Sequence, residues 1–346
     1  MTRVSLFAFI SELCPNRQVT GTGAGRAAST GSSGTTASPT SSASEAGDRD
    51  EAVAVAAQVS LAVAAKASAE NFPVALRVLP KRYRAHLTAL YGFARLTDDI
   101  GDEPLPGMPP DATEETITAT RLKLLDELQR DVARIYDDGA PEPDLEAIRA
   151  LKRTVEDCGI PAQPFYDIIQ ANRQDQLVSR YDTYADLVDY CKLSANPVGV
   201  VVLYIVGAAT PERIKASDSI CTALQIVEHI QDVAEDLGND RIYLPRQDMD
   251  AYQVTEADLA EKTASKRVKD LVKFETDRTR KLLDEGSPLV GTLRGAARLA
   301  IAGYVGGGRA TLKSIEAGGF DVLRSTPRRG KGDTLAMMAS CYFKGR

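Results

Sequence analysis

Apolar residues recur near the helical period through most of this chain, and nowhere do they alternate strictly with polar ones. Leu87, Leu90, Ala94 and Ile100 mark one buried stripe and predict a helix over 83–100. The run PLPGMPP after Glu103 ends it. Amphipathic patterning resumes over 113–136, over 145–158 with Gly159 as the stop, and over 164–178. Thr183 reads as the N-cap of the next helix. Residues 198–209, VGVVVLYIVGAA, are apolar all round. Their β-branched content favours a strand, but their length and helical neighbours favour a fully buried helix, which is the reading adopted. Further helices are expected over 217–237, 264–285 and 287–313. With no fixed-period repeat and no hairpin signal, the pattern predicts a single all-α domain.

The ends differ from this body. Residues 21–50 are mostly Gly, Ser, Thr and Ala, too poor in apolar groups to offset the entropy of ordering. We therefore expect a disordered, low-complexity tail over 1–51 and a helical domain over 52–328, with Ala/Val-rich 52–69 leading into it. The apolar patch Ser5–Ile10 is too short for a secretory leader. Residues 329–346 read as a basic, solvated C-terminal tail. Met337, Met338, Tyr342 and Phe343 give that tail an apolar end that could make peripheral membrane contact, though it is short for an interfacial helix. No run of about 18 apolar residues predicts a membrane span.

Composition narrows the chemistry. The 346 residues carry 42 Lys+Arg against 48 Asp+Glu, a formal charge of −6, which argues against a nucleic-acid partner. Five scattered cysteines and two histidines give no clustered zinc ligands. The cysteine spacing suits reduced thiols in a cytoplasm. No obligate protein partner is implied. Catalysis would rest on carboxylates, hydroxyls and basic residues.

Two acidic stripes stand out. In the first, Asp98 and Asp102 are four apart, so on a helix they share a face about 6 Å apart along the axis. Arg95 and Tyr91 continue that stripe one and two turns earlier. In the second, EHIQDVAEDLGNDRIYLP, Glu228, Asp232 and Asp236 share a face. Like charges at this spacing repel, more so when buried, and a cation reverses the sign. Carboxylates without His or Cys suit a hard ion such as Mg²⁺, commonly held by one or two carboxylates plus substrate phosphates. The spacing leaves two readings open: solvated acidic helix faces, or facing stripes that receive a magnesium–diphosphate. An EF-hand lacks its loop pattern here, and a di-iron bundle lacks its Glu-x-x-His pairs. His229 lies about 100° round the helix from Glu228 and reads as packed or solvent-facing.

From about Ser68 to Arg328 the chain resembles the squalene and phytoene synthases, all-α isoprenoid enzymes. The likeness is carried by NFPVALRVLPKRYRAHLTALYGFARLTDDIGDE, RQDQLVSRYDTYADLVDYCKLSANPVG, LQIVEHIQDVAEDLGNDRIYLP and GYVGGGRATLKSI. It implies an isoprenoid-synthase-type helical bundle around a central cavity that holds prenyl diphosphates. It further implies that Asp98, Asp102, Asp232 and Asp236 bind Mg²⁺–diphosphate as the catalytic and metal-binding set. Arg95 and Arg241 would contact diphosphate oxygens, and Tyr91, Tyr243 and Tyr304 would line the reacting end. Two departures matter. Hydroxyls common in relatives before the first helix are replaced at Ala69-Glu70-Asn71-Phe72, where Phe72 would remain at the substrate. Positions that often carry Asn and Arg at the second motif carry Glu228 and Gln231. That balance should hold a second diphosphate poorly. Together with Asn-Phe-Pro-Val-Ala and Ser-Ala-Asn-Pro-Val-Gly, it resembles the bacterial hydroxysqualene-forming subgroup of the hopanoid route. That subgroup ionises presqualene diphosphate and captures the cation with water, which Glu228 would help position. The alternatives are a head-to-head condensing synthase making presqualene diphosphate, squalene or phytoene, and a non-catalytic scaffold relative, which would be expected to have broken acidic motifs.

Overall fold

The structure, a computed structural model, describes residues 54–59 and 80–346. The expected N-terminal tail and Phe72 lie outside the described residues. Residues 54–59 are helical. From residue 80 the chain is a succession of helices: α1 (Lys81–Asp102), α2 (Glu114–Ala133, continued by a 3₁₀ turn Arg134–Tyr136), α3 (Glu146–Cys158), α4 (Gln163–Asp175), α5 (Tyr184–Ser194) and α6 (Asn196–Ile205). There follow α7 (Pro211–Gln231), α8 (Val233–Gly238), α9 (Arg246–Ala251), α10 (Glu256–Leu259), α11 (Lys266–Gly286), α12 (Leu289–Thr292), α13 (Gly295–Ala317) and α14 (Lys331–Lys344). Among the described residues the sole β feature is an isolated parallel bridge, Arg180 to Ile242.

Local chemistry sets these boundaries. Thr183 and Asp186 form a reciprocal capping box that starts α5, and Thr255 with Asp258 does the same for α10. Gly159 ends α3 at φ 64°, a left-handed geometry that costs glycine little. The apolar segment after Asn196 is indeed helical, and Val201, Leu203 and Ile205 within it are buried.

α7 is the central helix, packed against α6, α11 and α13. One core cluster joins α1, α3, α4, α6, α7 and α13, with Phe93 and Phe165 in an edge-to-face pair at 5.2 Å. A second gathers Tyr181, Tyr190, Tyr243 and the α11 face of Val268, Leu271 and Val272 beneath the segments that follow α7.

Three segments depart from the sequence reading. The helix expected over 217–237 breaks at Asp232, whose φ of −106° and ψ of 16° separate α7 from α8. The amide of Asp232 still donates to Glu228 O and that of Asp236 to Asp232 O, at 2.9 and 2.8 Å, so the helical spacing survives. The helix expected over 287–313 divides into α12 and α13 where Leu293 becomes extended. The residues read as a solvated basic tail form α14, which packs antiparallel on α13 and buries Cys341. The close approach is possible because Gly306 has no side chain: a Cβ there would stand 2.5 Å from Met338 N.

Candidate active site

α1 carries the first acidic motif on its last two turns. Asp98 is 9% exposed and Asp99 4%, an unfavourable place for charge unless it is paired. Arg95 supplies one partner, with Nε 2.6 Å from Asp99 Oδ1 and Nη2 3.4 Å from Glu103 Oε1. Asp98 is served differently. Its Oδ2 is buried and finds no hydrogen-bond donor among the described residues. Burial, then the neighbouring Asp102, hold its carboxyl well above the usual range against the pull of Arg95, with smaller pushes from Asp175 and Asp99.

Arg241 ties this end of α1 to the second motif. Its amide donates to Asp236 O at 2.9 Å. Its Nη1 stands 3.1 Å from Asp175 Oδ1 on α4, and its Nη2 3.8 Å from Asp102 Oδ1. One residue thus fixes α8, α4 and α1 about a common centre. Tyr190 OH donates to Asp175 Oδ2 at 2.9 Å. Arg121 of α2 adds a third guanidinium, bonded to Gln176 Oε1 and Glu103 O, each at 3.4 Å. Burial lowers its pKa, and among its charged neighbours Asp102 supports it while Arg241 opposes it.

On the second motif, Asp232 and Asp236 are half-buried and Glu228 lies one turn earlier. His229 is packed rather than solvent-facing: it stacks on Tyr243 at 3.6 Å and 10°. Its Nδ1 lies 3.8 Å from Asp236 Oδ2, and its Nε2 is 3.1 Å from Gln225 Nε2. Tyr243 also stacks on Tyr181 at 5.7 Å, and Tyr190 lies 5.9 Å away. Gln231 turns elsewhere, its amide donating to Pro327 O at 2.7 Å. Tyr91 is buried in α1. Tyr304 is largely enclosed where α13 meets α7, and burial, with Cys221 beside it, raises its phenol pKa.

The structure therefore draws Asp98, Asp102, Arg241, Asp236 and Tyr243 around one centre. It adds Asp175, Arg121, Tyr190 and His229, to which sequence reasoning gave no role there. A signal existed for Asp175: it falls in phase with the buried Ile168, Ala171 and Asn172 of α4, an acid on an apolar stripe. Arg121 offered none.

Among the described residues no three carboxylate, imidazole or thiol groups already converge tightly enough to hold a metal ion. The donor set nevertheless fits magnesium, which takes few protein carboxylates and completes its shell with water and phosphate oxygens. Asp98 Oδ2, buried, without a donor and crowded by like charge, suits such a cation.

The family model described as squalene/phytoene synthase matches residues 65–332. A hydroxysqualene synthase of Rhodopseudomonas palustris is 34% identical over 227 residues, covering 65% of this chain and 72% of that protein. A 15-cis-phytoene synthase of Synechococcus elongatus is 27% identical over 268 residues, covering 74% and 82%. Among solved structures, squalene synthase HpnC from Alicyclobacillus acidocaldarius aligns with TM-score 0.65 and 34% identity, over 79% of this chain and 96% of that one. A dehydrosqualene synthase aligns with TM-score 0.68 at 22% identity, over 86% and 100%, a likeness of fold.

Proposed function

The chain belongs to the squalene/phytoene synthase family, and from that premise we propose that it converts presqualene diphosphate to hydroxysqualene with Mg²⁺. The observation that carries this reading is the charge balance at the second motif. Glu228 adds an acid beside Asp232, and the position where relatives often have Arg holds Gln231, whose amide is spent on Pro327 O at 2.7 Å. Arg241 is engaged by Asp175 and Asp102. Among the described residues the guanidiniums drawn to this centre are Arg95, already paired with Asp99, Arg241 and Arg121, a balance that suits a substrate carrying one diphosphate rather than two. The 34% identity to a hydroxysqualene synthase supports the same choice.

Asp98, Asp102, Asp232 and Asp236 would hold magnesium, which when bound supplies charge neutralisation for the departing diphosphate. Arg241 and Arg121 orient the diphosphate oxygens, since guanidinium geometry suits them; Arg95 sets the register of the motif through Asp99. The carbon–oxygen bond breaks and its electron pair leaves with diphosphate. Tyr243, stacked on His229 and Tyr181, keeps this end of the site rigid, and Tyr91 and Tyr304 line the wall along which aromatic faces would meet the cationic carbon skeleton. Glu228 positions a water whose oxygen forms the new carbon–oxygen bond and whose proton passes to a carboxylate or to diphosphate. The product is an alcohol, and no reductant is consumed.

The test supplies the purified full chain, with Mg²⁺ and without NADPH, separately with presqualene diphosphate and farnesyl diphosphate, and reads products by mass spectrometry. Hydroxysqualene from the first and no product from the second is expected. Presqualene diphosphate made from farnesyl diphosphate would overturn the reading in favour of a condensing synthase, an activity to which the 27% likeness to a phytoene synthase also points. In the same assay, Glu228→Asn with unchanged rate and product would remove the water-positioning role.

A further inference from the structure

His229 stands at the junction between the two helices of the second motif. It lies in the last turn of α7, before the break at Asp232, and Asp236 lies beyond that break on α8. The residue is 8% exposed, and its neighbours fix both the plane and the rotation of its ring. One face stacks on Tyr243 at 3.6 Å and 10°, and Tyr243 stacks in turn on Tyr181 at 5.7 Å. Those stacks set the plane. At one edge, Nε2 lies 3.1 Å from Gln225 Nε2, one turn earlier on α7. At the other edge, Nδ1 faces Asp236 Oδ2 at 3.8 Å.

The Gln225 contact decides which ring nitrogen carries the proton. An amide nitrogen donates and does not accept, so imidazole Nε2 is the acceptor and the proton sits on Nδ1. That N–H faces the Asp236 carboxylate. The Arg241 amide donates to Asp236 O at 2.9 Å and holds the backbone of the same residue. Backbone and side chain of Asp236 are thus addressed from two directions. A neutral donor beside a carboxylate orients it and leaves its charge for a cation, whereas a Lys or Arg there would neutralise it. At 3.8 Å the contact is longer than a hydrogen bond, a gap that a small rotation of the Asp236 side chain closes.

We propose that His229 is a positioning residue for Asp236: its Nδ1–H, locked by Gln225 and the Tyr243 stack, sets how that carboxylate is presented to Mg²⁺. The inference rests on the reading of Asp236 as a magnesium ligand. His229 itself acts through Asp236, without a bond to metal or substrate.

The test is equilibrium dialysis of the full chain against Mn²⁺ at a fixed concentration of inorganic pyrophosphate, reading protein-bound Mn²⁺ with no turnover. His229→Phe keeps a ring to stack on Tyr243 and removes the Nδ1 donor. Its affinity for Mn²⁺ should fall about tenfold or more. His229→Asn places an amide N–H near the Nδ1 position and should recover part of that loss. His229→Gln carries its amide towards the Nε2 position instead and should not. Circular dichroism melts beside each titration confirm that the variants are folded. His229→Phe binding Mn²⁺ like the parent would overturn the proposal, and so would equal recovery by Asn and Gln. Asp236→Asn separates this from the magnesium reading. If that variant binds like the parent, Asp236 is no ligand and both fall. If it loses Mn²⁺ while His229→Phe does not, the positioning role alone falls.

Discussion

Asp175 shows how much of the candidate site hangs on one side chain that never needs to touch substrate. It holds Arg241 at 3.1 Å and accepts from Tyr190 OH at 2.9 Å. Charge-assisted contacts of this kind contribute about 1.5–3 kcal/mol. Asp175→Asn should therefore raise KM for the diphosphate substrate roughly tenfold or more with a smaller change in kcat, because Arg241 loses its fixed orientation. Steady-state kinetics beside a thermal melt would check it; equal kinetics would show that Arg241 is positioned by Asp102 and its backbone alone. At this scale the acidic residues of both motifs were legible, since i,i+4 spacing survives folding even across the break at Asp232. Arg121 and Tyr190 were not, because their roles come from helices distant in sequence and no local pattern encodes which arginine meets Asp102.

At the scale of elements, the chain's helices follow from periodicity and caps, whereas their seams follow from small residues. Gly306 admits the backbone of α14, and an added Cβ would meet Met338 N at 2.5 Å, which cannot yield as a side chain could. Gly306→Ala should lower Tm by about 3–8 °C through displacement of α14. Gly303→Ala, whose Cβ would meet only Met338 Sδ at 3.7 Å, should be neutral or slightly stabilising. Differential scanning calorimetry of the pair separates seam crowding from a general glycine effect. The 14 residues of α14 follow a basic, glycine-containing linker and read as a tail from local pattern, because their burial depends on a surface that α13 and α12 provide.

For the molecule as a whole, stability should carry a pH dependence from Asp218, half-buried on α7 with no hydrogen-bond partner for Oδ1 among the described residues. Burial alone raises its pKa from 3.8 to about 6. The folded state thus holds this proton more tightly than the unfolded state. Stability falls as pH rises from about 4 to about 6 and is level above that window. Asp218→Asn should match the parent near pH 4 and exceed its stability at pH 8 by roughly 1–2 kcal/mol, allowing for partial solvent contact. Urea unfolding at both pH values checks this, and a constant offset at the two would refute the sign. The all-α class, most helix positions, both acidic motifs and the resemblance that implies a prenyl-diphosphate chemistry are all legible along the chain. These are local properties: period, cap and spacing act within a few residues. Packing is needed to bring Arg241 of the segment after α8 to α4 and α1, to turn Gln231 to Pro327 O, and to dock the terminal helix on α13. Each of those pairs residues separated by tens to hundreds of positions, so the contact exists only once packing has chosen which helices are neighbours.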